Sequence, residues 1–201
     1  MNCRGEATRR ELVEAYEMRP IAHVQLLSGQ TKKSCTGDEL SNSYYCFSYK
    51  QRQGKKTGTL LCGEHAARHF LGLLGLNPLP LFNPLKSQTA GGGSAGGSSG
   101  SVRWDPTSKQ LFNAINLLVV AWASPPGPPL ADIKSRLERF PHSPPYPGQI
   151  KAVNTIISKD HAGRTLQDMV AELAANNDLK FFDFSQLNAV LSVQKVPSSF
   201  G

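Results

Sequence analysis

Residues 88–101 constrain this chain most, because they hold six glycines and no large apolar side chain. Such a stretch cannot build a core, and as a random coil it spans roughly 20 Å root-mean-square. The sequence therefore divides into a module over 1–87, a flexible Gly/Ser linker over 88–101, natural or engineered, and a module over 102–201. With 201 residues, 39% hydrophobic and 18% charged, the composition is that of a soluble globular protein. The longest apolar run, 111–123, is interrupted by Asn113 and Asn116 and falls short of the roughly 20 residues that cross a bilayer. It predicts a buried helix and no membrane association. The first residues are polar and charged, which predicts a cytoplasmic protein. In that reducing compartment, four cysteines (Cys3, Cys35, Cys46, Cys62) point to metal ligation rather than to disulfides.

Within the first module, Thr8-Arg9-Arg10-Glu11 has the form of a capping box and predicts a short helix carrying Leu12, Val13, Ala15 and Tyr16. Pro20 is expected to end it, with a strand following over 21–27. Residues 43–51 alternate: Tyr45, Phe47 and Tyr49 share one face, Tyr44, Cys46 and Ser48 the other. A Gly-bounded turn over 53–58 leads to a return strand near Thr59, and the resulting hairpin delivers Cys62 to a helix that ends at Gly75. The aromatic face is either core or a stacking platform for bases.

Cys62-Gly63-Glu64-His65 is a CxxH knuckle. Gly63 permits the turn, and the helix N-terminus favours thiolate charge. Thiolate and imidazole together suit tetrahedral zinc. Cys46 is the natural third ligand, and either Cys35 or His69 the fourth. The run Leu61-Cys62-Gly63-Glu64-His65-Ala66-Ala67-Arg68-His69 resembles the second knuckle of small bacterial zinc-ribbon and treble-clef proteins. The resemblance spans 30–75 and implies a bound zinc, although ten residues separate Cys35 from Cys46 where those proteins usually carry CxxC.

The net charge is +7, and more than half of the excess sits around this knuckle. Lys32, Lys33, Lys50, Arg52, Lys55, Lys56 and Arg68 face only Asp38, Glu39 and Glu64 there. A basic face of this kind neutralises phosphates with release of counterions, or simply keeps the surface solvated. Beyond the helix, residues 77–85 hold three prolines, which exclude a regular helix and display Leu79, Leu81, Phe82 and Leu85 on an extended arm. Pro78-Leu79-Pro80-Leu81-Phe82 is similar to the Gln-Leu-x-Leu-Phe peptide with which bacterial polymerases and repair proteins dock on the sliding clamp, with Pro78 in the glutamine's place. Leu79, Leu81 and Phe82 are thus candidate partner-binding residues, unless the arm packs back on its own module.

The second module reads as five amphipathic helices. Asp105-Pro106 forms an N-cap and first-turn pair, and Thr165 to Asp168 a capping box. No phosphate-binding loop, HExxH or deaminase signature occurs. The sequence thus leads to an α+β fold with a zinc-stabilised hairpin-helix unit followed by a helical bundle. The expected function is a non-enzymatic binding protein that meets DNA or RNA through its basic face. The alternatives are a protein-interaction adaptor working through the Leu79–Phe82 arm or the helical module and, if the metal kept an open position for water, a zinc-dependent hydrolase.

Overall fold

The computed structural model describes residues 1–86 and 103–201. The 88–101 linker lies outside them. Seven helices and a small antiparallel sheet make the protein a mixed α/β fold among the described residues. No helix there is long and apolar enough to cross a membrane. The chain forms two compact units, one of residues 1–83 with 123–126 and the other of 84–122 with 127–201.

In the first unit, α1 (Glu6–Ala15) runs directly into β1 (Tyr16–Gln25), which pairs with the central strand β4 (Ser43–Gln51); β5 (Thr57–Cys62) completes the order β1-β4-β5. The helix starts earlier than its capping box implied. Gly5, at φ 88°, is the N-cap, and Thr8 lies in the first turn instead. Pro20 does not separate helix from strand but sits inside β1, where the register to β4 shifts between Pro20 and Ala22. A bulge is the place at which a strand tolerates a residue without an N–H. The alternation of β4 is as expected, and both of its faces are buried over Tyr44, Tyr45, Cys46 and Phe47. Phe47 and Tyr45 pack with Met18 and Leu60 against Phe70, Ala67 and Leu71 of α2 (Glu64–Leu74). That face is core.

Two further pieces complete this unit. A two-residue ladder joins β2 (Lys32–Lys33) to β3 (Glu39–Leu40) around a turn with Gly37 at φ 89°. The proline arm lies along the open edge of β1: the Phe82 N–H donates to the His23 carbonyl (2.9 Å), and the Gln25 N–H donates to the Phe82 carbonyl (3.0 Å). An otherwise unpaired strand edge is thereby capped.

The second unit is built around α3 (Pro106–Ala121), enclosed by α4 (Pro128–Arg139), α5 (Pro147–Ile157), α6 (Leu166–Ala174) and α7 (Ser185–Val193). The Asp105 side chain caps α3 by accepting from the Ser108 N–H, and Thr165 with Asp168 forms the predicted capping box on α6. From Ala114 to Val120 every residue of α3 is buried. It is therefore a central helix rather than one with a single apolar stripe. At its end Trp122 donates its indole N–H to Asp160 (2.8 Å). The same carboxylate, on a side chain 1% exposed, accepts from the Arg164 guanidinium and from the Ala162 and Arg164 N–H groups.

Candidate functional site

The chemistry-bearing side chains of the first unit gather where three chain segments meet the start of α2. The N-terminal segment is tied to the β2–β3 loop by a Cys3–Cys35 disulfide with a Cα separation of 5.4 Å. The Cys3 N–H donates to the Cys35 carbonyl (3.0 Å), and the Cys35 N–H donates to the Leu61 carbonyl (2.7 Å) at the end of β5. Arg4 reinforces the clip, donating to the Thr36 carbonyl and pairing with Asp38. Cys62 is paired with Tyr45 across the sheet, so its side chain enters the α2 face, where Cys3 is buried and Cys35 packs alongside. Gly63 then caps α2 so close to β3 that an added Cβ would stand 3.2 Å from a Leu40 methyl.

Above these sulfurs lies Arg9, a buried guanidinium. It donates from Nη1 to the Cys3 carbonyl (3.1 Å) and from Nε to His69 Nδ1 (2.9 Å). Accepting at Nδ1 leaves the His69 proton on Nε2, which is turned toward Glu6 at 3.9 Å. Burial pushes the Cys62 thiol up to about 12, although the nearby Arg9 charge pulls the other way. Cys46 is likewise pushed up by burial. Both free thiols are therefore protonated near neutral pH and are weak nucleophiles.

The five predicted metal ligands do not converge on one point. Cys35 is bonded to Cys3. Cys46 pairs with Leu61 one residue out of phase with Cys62, and so occupies the opposite face of the sheet. His65 is exposed on the first turn of α2, and His69 is engaged by Arg9. In this form no group of three or more His, Cys, Asp or Glu among the described residues stands ready to hold a metal ion, and that ligand set does not fit a tetrahedral zinc shell. Cys3 and Arg9 are the members of the cluster that sequence reasoning missed. Cys3 lies 32 residues from its partner, a separation that leaves no periodic signal. Arg9 carries no sequence signal beyond its place in the Thr8–Glu11 capping-box pattern.

The seven predicted phosphate contacts divide into groups. Lys50, Arg52, Lys55 and Lys56 are all exposed around the β4–β5 turn, which is closed by the Gln51 N–H donating to the Lys56 carbonyl (2.8 Å). None of the four pairs with a carboxylate among the described residues. Lys32 and Lys33 stand on β2, near the other end of β5, where Cys35 meets Leu61. Arg68 is taken up by Glu64 one turn back on α2. Along the arm, Phe82 is buried, and Leu79 packs against the core while its carbonyl bonds His23 Nδ1 (3.0 Å) and accepts from the Tyr45 hydroxyl (3.3 Å). His23 stacks on Tyr45 with centroids 3.9 Å apart, and burial lowers its pKa. Leu81 alone of the three arm residues faces solvent, at 43% exposure.

A family model described as uncharacterised conserved protein UCP028583 matches residues 1–200, and the chain belongs to that family. No curated protein and no solved structure matches it.

Proposed function

We propose that this protein is a non-enzymatic binding protein whose first unit contacts DNA or RNA through the tip of the β4–β5 hairpin. The observation that carries the reading is the set of four exposed cations, Lys50, Arg52, Lys55 and Lys56, unneutralised among the described residues. They sit at the β4–β5 turn end of the sheet, where β1 still pairs with β4 and sets Glu17 opposite Lys50. Lys32, Lys33 and Arg68 play a lesser part, because they are elsewhere on the unit or already paired. Contacts of this kind position phosphates and carry no base specificity of their own.

Fluorescence anisotropy with a labelled duplex and a labelled single strand tests the reading. Four phosphate contacts give a log–log salt slope of about −3 to −4, so that affinity falls about a hundredfold between 50 and 200 mM salt. Reversal of Lys55 and Lys56 to glutamate should remove most of the affinity and flatten the slope. Binding that ignores salt, or survives that double reversal, overturns the reading. Absence of any nucleic-acid binding leaves the adaptor alternative, for which exposed apolar side chains stand both in the first unit (Leu76 and Leu81, 44% and 43% exposed) and in the helical unit (Phe181 and Val193, 91% and 85% exposed).

A further inference from the structure

Arginine and aromatic side chains alternate on the surface of the second unit, where α4 ends and α5 begins. We propose that Arg136, Arg139, Phe140 and Tyr146 form a stacking site for the bases of unpaired nucleic acid. The site rests on the preceding reading only in taking the partner to be a nucleic acid. It lies on the other unit from the hairpin, and it meets bases rather than phosphates alone.

Three features support it. First, the four side chains form a continuous stack. Arg136 Cζ lies 3.9 Å from the Tyr146 ring centroid and 5.8 Å from that of Phe140, and Arg139 Cζ lies 5.3 Å from Phe140. Tyr146 and Phe140 are nevertheless 62% and 46% exposed. Ring surface therefore remains open to a further flat group, and a base stacked on an aromatic side chain adds affinity whatever its identity.

Second, the segment between the two rings is held in place. The Asp105 N–H donates to the Pro141 carbonyl (2.8 Å), and the Ser108 hydroxyl donates to the Ser143 carbonyl (2.6 Å). The Gln149 amide oxygen accepts both from the Tyr146 N–H (3.0 Å) and from Arg136 Nη1 (3.4 Å), which fixes the guanidinium over the ring. Pro141, Pro144, Pro145 and Pro147 stiffen the backbone further. A platform ordered in advance loses little entropy when it binds.

Third, the charge is available. Neither arginine is ion-paired among the described residues, and Glu138 is taken up by Lys134 (2.7 Å). Guanidinium edges are thus free to meet phosphates while their faces stack. An acidic polypeptide would satisfy the arginines and leave both rings uncovered. A duplex keeps its base faces inside the helix, whereas an unpaired strand presents phosphate and base face together.

The test uses the whole chain with a labelled oligothymidylate, its duplex with oligodeoxyadenylate, and the same single strand carrying 5-iododeoxyuridine. Irradiation of the iodinated strand should cross-link the wild-type chain at Phe140 or Tyr146, located by peptide mass spectrometry, a readout that needs no variant to fold. Phe140→Leu and Tyr146→Leu should each weaken single-strand binding roughly tenfold, with the salt slope and the duplex affinity unchanged. Arg136→Lys together with Arg139→Lys keeps the charge but removes the planes, and should weaken the single strand at the same slope. Tryptophan emission, which reports this unit, should show each variant unfolding as the wild type does. Cross-links confined to the β4–β5 hairpin overturn the proposal, as do leucine variants that bind the single strand like the wild type. Poly-glutamate that competes as well as the strand also overturns it and points to an acidic protein partner. Duplex binding that survives Lys55→Glu with Lys56→Glu overturns the hairpin reading alone, and a chain that binds no nucleic acid overturns both.

Discussion

The two compact units bury their apolar residues by different means. The second encloses one helix, α3, within four others, so that a core aliphatic except for Asn116 runs the length of Ala114 to Val120. The first has three main strands and two helices, and its ties join segments that the core alone does not hold. They are a disulfide at the N-terminus, a buried arginine between α1 and α2, and an arm laced to the edge of β1. A small sheet-and-helix layer buries too little surface to fix its own periphery, and cross-links compensate. A bundle wrapped round a central helix needs only orienting contacts such as Asp160.

This contrast can be broken at three strengths. The aromatic centre of the first unit should respond most. Phe47, fully buried against Phe70 with centroids 5.4 Å apart, should cost about 3–5 kcal/mol as Phe47→Ala. Hydrogen exchange of the β4 amides would record it. Both tryptophans, Trp104 and Trp122, belong to the second unit, so tryptophan emission during urea unfolding follows that unit separately. An equal loss of midpoint in both signals would show that the units unfold as one.

Removal of the cross-link comes next. Cys3→Ser opens a disulfide with a sequence separation of 32 and should cost about 3–4 kcal/mol, on the chain-entropy account. Protection in the β4 amides should fall while the tryptophan transition stays in place. An unchanged first unit would mean that the core holds the N-terminal segment without help.

The smallest effect concerns acid. Hydrogen bonds from Arg164, aided by those from Trp122 and the Ala162 and Arg164 N–H groups, hold the Asp160 carboxyl well below the usual carboxylate range, against the opposing effect of burial. A lowered folded pKa contributes stability that is complete above the unfolded value of about 3.9 and is lost as pH falls toward the folded value. Asp160→Asn should therefore lower the Tm of the second unit by a few degrees at pH 7 and should flatten its decline below about pH 4. A variant with the wild-type acid profile would place that sensitivity elsewhere.

Local signals recovered most elements. The pairing of Asp105 with Pro106, the Thr165–Asp168 box, the alternation from Tyr44 to Tyr49 and the stop at Gly75 each depend on neighbours within a few residues, and each marks its element in the structure. Pro20 misled for the same reason: a proline normally ends regular structure, and only the long-range pairing of β1 with β4 supplies the bulge that accommodates it. The basic residues were legible as a count but not as a surface, because sequence proximity cannot tell a hairpin tip from the far end of β5 or from a helix where Glu64 takes up Arg68.

For the cysteine cluster the division is sharpest. The sequence by itself determined that Cys62, Gly63 and His65 would mark the passage from strand to helix, because hydrophobic period and glycine placement are local properties. Only the tertiary structure decided which sulfurs share that corner. The parity of the β4–β5 register sends Cys46 to the opposite face, and the return of the N-terminal segment to the β2–β3 loop brings Cys3 to Cys35. Both are matters of chain closure across tens of residues, for which no local spacing carries a signal.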